Sequence, residues 1–208
     1  MSISTRRGDS GKTEMLFGRG VLKNHPRIHA MGDVDELNAA LGIVRLTAVS
    51  DAVASRIPAI QRELIQLMGE LATPKGEESR YARVHPQHIG EESVARLDSL
   101  VLEMEENDLI KSSGWALPGE GGVFSAAYCD LARTVCRRAE RTVVDLVGTP
   151  HEVPNPDIVR FLNRLSDVLW LMARVETKVV QSQHVEGAEG VEAEEVRTDT
   201  GTVLRYGQ

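Results

Sequence analysis

Five stretches of this chain repeat apolar residues at the three- and four-residue spacing of a helix, and none alternates them convincingly as a strand does. Val34, Leu37, Leu41, Val44 and Ala48 mark the inner stripe of a helix expected over 33–49, whose first turn carries Asp33, Asp35 and Glu36. Ile57, Ile60, Leu64, Leu67 and Leu71 do the same over 52–71, and Val94, Leu97, Leu100, Val101 and Met104 over 89–107. A fourth helix is expected over 123–147, burying Phe124, Ala127, Leu131, Val135 and Leu146 and stopping at Gly148. Asn155 caps a fifth, with Pro156 in its first turn and Ile158, Leu162, Leu165, Leu169, Met172, Val175 and Val179 inside. An amphipathic helix cannot hide its apolar stripe alone. The expected fold is therefore all-α, a five-helix up-and-down bundle over 1–182. Its first 32 residues read as an irregular arm broken by glycines and Pro26, and 183–208 as an acidic, flexible tail.

Composition limits the function. The chain has 208 residues, a formal net charge of -7 and only 4% aromatics, which argues against nucleic acid as a partner. No apolar run approaches the ~18 residues that a membrane helix needs, and the first residues lack an apolar signal region. Cys129 and Cys136 lie about two turns apart (roughly 10 Å) on one helix face, too far to bridge, so they read as core thiols in a reducing compartment. The expected location is cytoplasmic. His25, His29, His85 and His88 have no metal-site spacing, and no side-chain metal centre is expected.

Two stretches carry chemistry. Arg133, Arg137, Arg138, Glu140 and Arg141 crowd into nine residues, and Arg133, Arg137, Glu140 and Arg141 share one side of the fourth helix. Guanidinium groups stay charged and fork onto phosphate or carboxylate oxygens, so the row suits a polyanion. A solvated face of local Glu–Arg pairs is the alternative. The other stretch is Thr5-Arg6-Arg7-Gly8-Asp9-Ser10-Gly11-Lys12-Thr13, where glycines let backbone N–H groups turn to an anion and Arg6, Arg7 and Lys12 add charge. Its Gly-Lys-Thr ending is not a Walker A loop, because Arg6 stands where that motif needs glycine and no apolar strand precedes it. Taken alone, the segment also reads as a loose basic terminus. Asn163, Asp167, Trp170 and Arg174 form a second, polar side of the fifth helix, and Trp115 stands beside a glycine-rich turn.

Taken in order, Thr5-x-x-Gly8-Asp9-x-Gly11-x-Thr13, Gly18, Lys23, Gly32-Asp-Val-Asp35-Glu36-Leu37-Asn38, Arg133-x-x-x-Arg137-Arg138-Ala139-Glu140-Arg141 and Phe161-Leu-Asn163-Arg-Leu-Ser-Asp167 resemble the PduO-type ATP:cob(I)alamin adenosyltransferases across about residues 5–180. The resemblance implies a homotrimer of five-helix bundles with sites between subunits. Its reaction moves the 5′-deoxyadenosyl group of ATP onto the cobalt of cob(I)alamin and releases triphosphate. On that resemblance Thr5, Arg6, Arg7, Gly8, Lys12, Thr13 and Lys23 wrap the phosphates. Arg137, Arg138, Glu140, Arg141 and Asn163 close the ATP site, with Mg2+ on the phosphate oxygens. Asp35 pairs with Arg133 beside the corrinoid, and Trp115 stands for a phenylalanine that displaces the lower axial ligand of cobalt. Arg7 replaces a hydroxyl residue of the family pattern, and Trp115-Ala-Leu-Pro118-Gly119-Glu-Gly121-Gly122 carries a two-residue insertion. A non-catalytic bundle that binds ATP or corrinoid and delivers or senses cobalamin, for instance for an adenosylcobalamin-dependent enzyme, is the alternative. A third possibility is a plain helical oligomer whose arginines pair with acids across an interface.

Overall fold

The structure is a computed structural model that describes residues 4, 6–106, 110 and 115–191, the side chains of 184–191 excepted. Among these residues, β1 (Lys12–Glu14) pairs antiparallel with β2 (Gly20–Leu22). Six helices follow: α1 (Pro26–Thr47), α2 (Asp51–Leu71), α3 (Glu78–Val84), α4 (Glu91–Glu106), α5 (Phe124–Val144) and α6 (Asp157–Val191). The all-α bundle is as expected, with α3 as a short addition in the 73–90 loop. Helix α1 packs on α2 and α5, α5 on α6, and α6 on α4. Ion pairs Arg56–Glu103, at 2.6 Å, and Arg96–Glu63 join α2 to α4 and close the ring. The apolar stripes meet in one core, with Leu37, Leu64, Leu97 and Phe161 fully buried.

Three boundaries differ from expectation, each for a physical reason. Helix α1 begins at Pro26 rather than at 33, because proline fits the first turn and His25 caps it: the His25 Nδ1 accepts from the Arg27 N–H at 3.2 Å. The arm is not irregular throughout, since β1 and β2 form a short ribbon whose turn is tied down. Met15 is buried, the Leu16 N–H donates to the Ala72 carbonyl at 2.9 Å, and the Arg80 guanidinium sits 4.1 Å from the Phe17 ring centre. Helix α6 runs on to Val191, past the expected limit at 182, because an established helix adds one hydrogen bond per residue even where apolar periodicity ends. The rest of the acidic tail, 192–208, lies outside the described residues.

The face of α5 is also turned from the expected one. Its buried side is built of Ser125, Ala126, Cys129, Ala132, Cys136 and Ala139, small residues that let α1 and α6 approach closely. Phe124 and Leu131, expected inside, are 79% and 50% exposed.

Two buried charged residues fix the ends of the bundle. Arg27 is 2% exposed and donates to the carbonyls of Thr73, His151 (2.7 Å) and Glu152, joining α1 to the end of α2 and to the α5–α6 link. At the other end Glu176 of α6, fully buried, accepts from the Val49 and Ser50 N–H groups at 2.8 and 3.1 Å and from the Ser125 hydroxyl.

Candidate functional site

The ribbon gathers the scattered cationic residues of the arm. Residues 6–11 curl through hydrogen bonds from the Asp9 N–H to the Arg6 carbonyl and from the Gly11 N–H to the Gly8 carbonyl. Arg6 and Gly11 take positive φ values of 57° and 74°. The Lys23 N–H, just past β2, donates to the Gly11 carbonyl at 2.9 Å, and this register brings the Lys23 ammonium over Gly8. A Cβ at position 8 would lie 2.9 Å from Nζ, the mobile end of the Lys23 side chain, so the ammonium rests directly on the loop backbone at Gly8. Arg6, Arg7, Gly8, Lys12 and Lys23 are all solvent-exposed or half-exposed there, beside half-buried Thr13. Thr5 lies outside the described residues.

The arginine row on α5 divides into two kinds. Arg138 turns to α1, where it pairs with Asp33 at 3.2 Å and with Glu36, while the Thr142 hydroxyl donates to Asp33 at 2.6 Å. Hydrogen bonding to Glu36 raises the Arg138 guanidinium above its ordinary value, with Asp33 adding to it. Arg138 is thus a clasp between α1 and α5. Arg137 and Arg141, one turn apart, are exposed and make no side-chain hydrogen bond or ion pair among the described residues. Glu140 is half-exposed between them, and Asn163 is exposed on α6. The Cys136 thiol beneath feels Arg137, Glu140 and Asp167 together, so these three crowd one side of the α5–α6 pair.

Further along the same seam, Asp130 is 3% exposed and accepts from Arg174 at 2.6 Å and from Arg133 at 3.5 Å. The Arg174 guanidinium also lies 5.4 Å from the Trp170 ring centre. A cavity of about 390 Å³ opens beside it, lined by Leu117, Gly119, Gly121, Val123, Arg174 and Thr177 among others. The 115–122 loop closes on α6 at Gly121, where a Cβ would lie 2.7 Å from Thr177 Cγ2. Trp115 is fully exposed at the head of that loop. Asp35 is exposed on α1, about 160° round the helix from Asp33, and makes no bond to Arg133 within the chain. Burial pushes the Cys129 and Cys136 thiols well above the ordinary range, which leaves neither as a nucleophile.

The structure therefore brings Arg6, Arg7, Gly8, Lys12, Thr13 and Lys23 together on the arm, and Arg137, Arg141 and Glu140 together on α5. Among the described residues no hydrogen bond or ion pair joins residues 6–23 to α5 or α6. Nothing in the sequence marks Asp130 or Arg27 as a structural or site residue, and Asp33 and Glu36, expected as first-turn acids, lie beyond the first turn of α1 and clasp Arg138 instead. Asp33 and Glu36 lie three apart, and Arg138 and Thr142 four apart, so the clasp obeys helix spacing on each side, but nothing local pairs the two helices.

Comparison with known proteins decides the family. The sequence model described as cobalamin adenosyltransferase matches residues 3–176. The chain belongs to the cobalamin adenosyltransferase family. It is 36% identical over 177 residues to the corrinoid adenosyltransferase PduO of Salmonella typhimurium, covering 85% of this chain and 50% of that protein. A cobalamin adenosyltransferase of Cupriavidus metallidurans is 40% identical over 175 residues, covering 83% of this chain and 86% of that one. The chain thus spans about half the length of the PduO relatives and most of the Cupriavidus protein. Among solved structures, a PduO-type ATP:corrinoid adenosyltransferase variant from Lactobacillus reuteri, complexed with cobalamin and ATP, superposes with a TM-score of 0.76 at 31% identity. The match covers 86% of this chain and 93% of that one. A second variant of that enzyme, complexed with ATP, superposes with a TM-score of 0.74 at 31% identity, over 86% and 96% of the two chains.

Proposed function

We propose that this cobalamin adenosyltransferase family member transfers the 5′-deoxyadenosyl group of ATP to the cobalt of cob(I)alamin, giving adenosylcobalamin and triphosphate. The observation that carries the reading is the pair of exposed cationic groupings, Lys23 over the Gly8 loop and Arg137 with Arg141 on α5. The reaction needs no side-chain base. The cobalt(I) electron pair attacks C5′, a Co–C bond forms, the C5′–O bond breaks, and its electrons leave on triphosphate. The protein's work is to hold C5′ in line with cobalt and to neutralise the leaving polyanion. Arg6, Arg7, Gly8, Lys12, Thr13 and Lys23, with Thr5, take the phosphates from one side. Arg137, Arg141, Glu140 and Asn163 close from the other, with Arg138 holding α5 to α1 behind them. The arm carries Asp9 beside its cations and hydroxyls, and Mg2+ would come bound to the phosphates of ATP, where it would offset their charge.

The two groupings meet across a subunit boundary in this reading, as a homotrimer allows. Large apolar side chains left open on α1 and α5 support such a contact: Leu46 is 88% exposed and Phe124 79%. The same boundary lets Asp35 reach Arg133 of a neighbour and order the corrinoid pocket. Buried, unlinked thiols suit a cytoplasmic setting, where an adenosylcobalamin-dependent enzyme takes the product.

Supplying ATP, Mg2+ and chemically reduced cobalamin tests the reading: adenosylcobalamin and triphosphate form in equal amounts. ATP binding without product supports the non-catalytic alternative instead. Trp115→Ala slows turnover from cob(II)alamin, reduced in situ, by at least about tenfold more than turnover from prereduced cob(I)alamin, as the loss of a group acting on the cobalt ligand requires. Equal effects on both would remove Trp115 from the cobalt site.

A further inference from the structure

Three residues, Lys23, Asn24 and His25, connect β2 to the first turn of α1. Both ends of that link are fixed. The Lys23 N–H bonds to the Gly11 carbonyl and its ammonium lies over Gly8, while the His25 N–H donates to the Leu22 carbonyl at 3.0 Å and the His25 ring caps α1. We infer that His25 is a positioning residue for the nucleotide-binding arm, seating β2 and Lys23 against the bundle through the cap that its neutral imidazole makes on α1. The inference rests on the proposed role of the arm in holding the phosphates of ATP.

The chemistry follows from which nitrogen is used. Nδ1 accepts from the Arg27 N–H, so the ring must carry its proton on Nε2. Protonation removes the acceptor. It also places a cation at the positive end of the α1 dipole, which disfavours it. The surroundings add to that. The His151 ring meets the His25 ring edge-on, with centroids 4.6 Å apart, and the Arg27 guanidinium is bound to the His151 and Glu152 carbonyls. Lys23 of the arm and His29, one turn along α1, are further basic groups nearby in the chain. On the other side, Glu78 of α3 acts on Arg27, and the Glu152 carboxylate accepts from the Gly148 N–H at 3.2 Å. Burial first, then His151 and then Arg27, push the His25 imidazole below its ordinary value. A group whose value falls when the cap forms favours the capped helix above the ordinary imidazole range, near 6.5, and that support is lost as pH falls below it. Acidification therefore loosens the cap on which the seating of the arm depends.

Equilibrium ATP binding to the full chain with Mg2+, at pH 7.5 and 5.5, tests this on the wild type, His25→Ala and His25→Asn. Asparagine places a carbonyl oxygen where Nδ1 stood and does not titrate. His25→Ala should raise the ATP Kd at pH 7.5 by roughly five- to tenfold, the effect of one lost helix cap. His25→Asn should bind as the wild type does at pH 7.5. It should then lose up to about tenfold less affinity on acidification, one proton's worth per pH unit. ATP takes up a proton in the same range, so the difference between wild type and His25→Asn is the readout. An alanine variant that binds ATP as tightly as the wild type, or an asparagine variant with the same acid loss, overturns the positioning role and leaves the proposed function standing. A wild type that binds no ATP at pH 7.5 overturns both.

Discussion

Arg137→Ala should reduce adenosyl transfer by at least about a thousandfold, the scale on which a single arginine stabilises phosphate charge in a transition state. The variant should unfold at the same temperature as the parent. Both halves follow from where Arg137 stands. It is exposed on α5, makes no ion pair among the described residues and supports no neighbour, so its removal leaves no buried group unpartnered. Arg138 gives the contrast. Its charge is already shared between Asp33 and Glu36, so its loss loosens α1 from α5 as well as weakening the site. Steady-state kinetics with ATP and prereduced cobalamin, beside a thermal unfolding curve, separate the two. Near-normal turnover in Arg137→Ala would remove the arginine row from the reaction.

Arg27→Ala should cost about 2–3 kcal/mol of folding stability, since a buried carbonyl left without its donor costs about 1–3 kcal/mol and two part-buried ones lose theirs with it. Three carbonyls, those of Thr73, His151 and Glu152, lose their donor at once, and the Thr73 carbonyl loses it in a fully buried contact. The same junction carries the His25 cap, so arm seating is lost along with the stability. Urea unfolding at pH 7.5 gives the number. A loss below about 1 kcal/mol would mean that the carbonyls find other donors and that Arg27 does not lock this end.

The bundle was legible because burial imposes a period. Leu37, Leu41, Leu64, Leu67, Leu165 and Leu169 recur as a helix face must, and all are fully buried. The start of α1 was not legible, since Pro26 signals both a break and a first helical turn, and only the His25 cap decides between them. Nor was the orientation of α5. Phe124 and Leu131 satisfy the apolar period, yet the tight packing against α1 and α6 selects Ala126, Cys129, Ala132, Cys136 and Ala139. On the site side, the glycine loop and the arginine row were visible as clusters of charge. Lys23 and Gly8 came together only through the family resemblance, because a two-stranded ribbon of three-residue strands leaves almost no periodic trace. Arg27 and Asp130 gave no signal either, because a buried ion is recognisable only through partners remote in sequence.

In the proposed mechanism the arm of one subunit and the α5 arginines of its neighbour grip the same triphosphate. Mixed oligomers test it most directly. Arg137→Ala chains and Lys23→Ala chains, each weakly active alone, are unfolded together in equal amounts and reassembled. If each site is shared between subunits, about one contact in four joins an intact arm to an intact arginine row, and activity returns to roughly a quarter of wild type. If the mixture does no better than the average of its two parents, the groups that grip ATP belong to a single chain and the shared site does not exist.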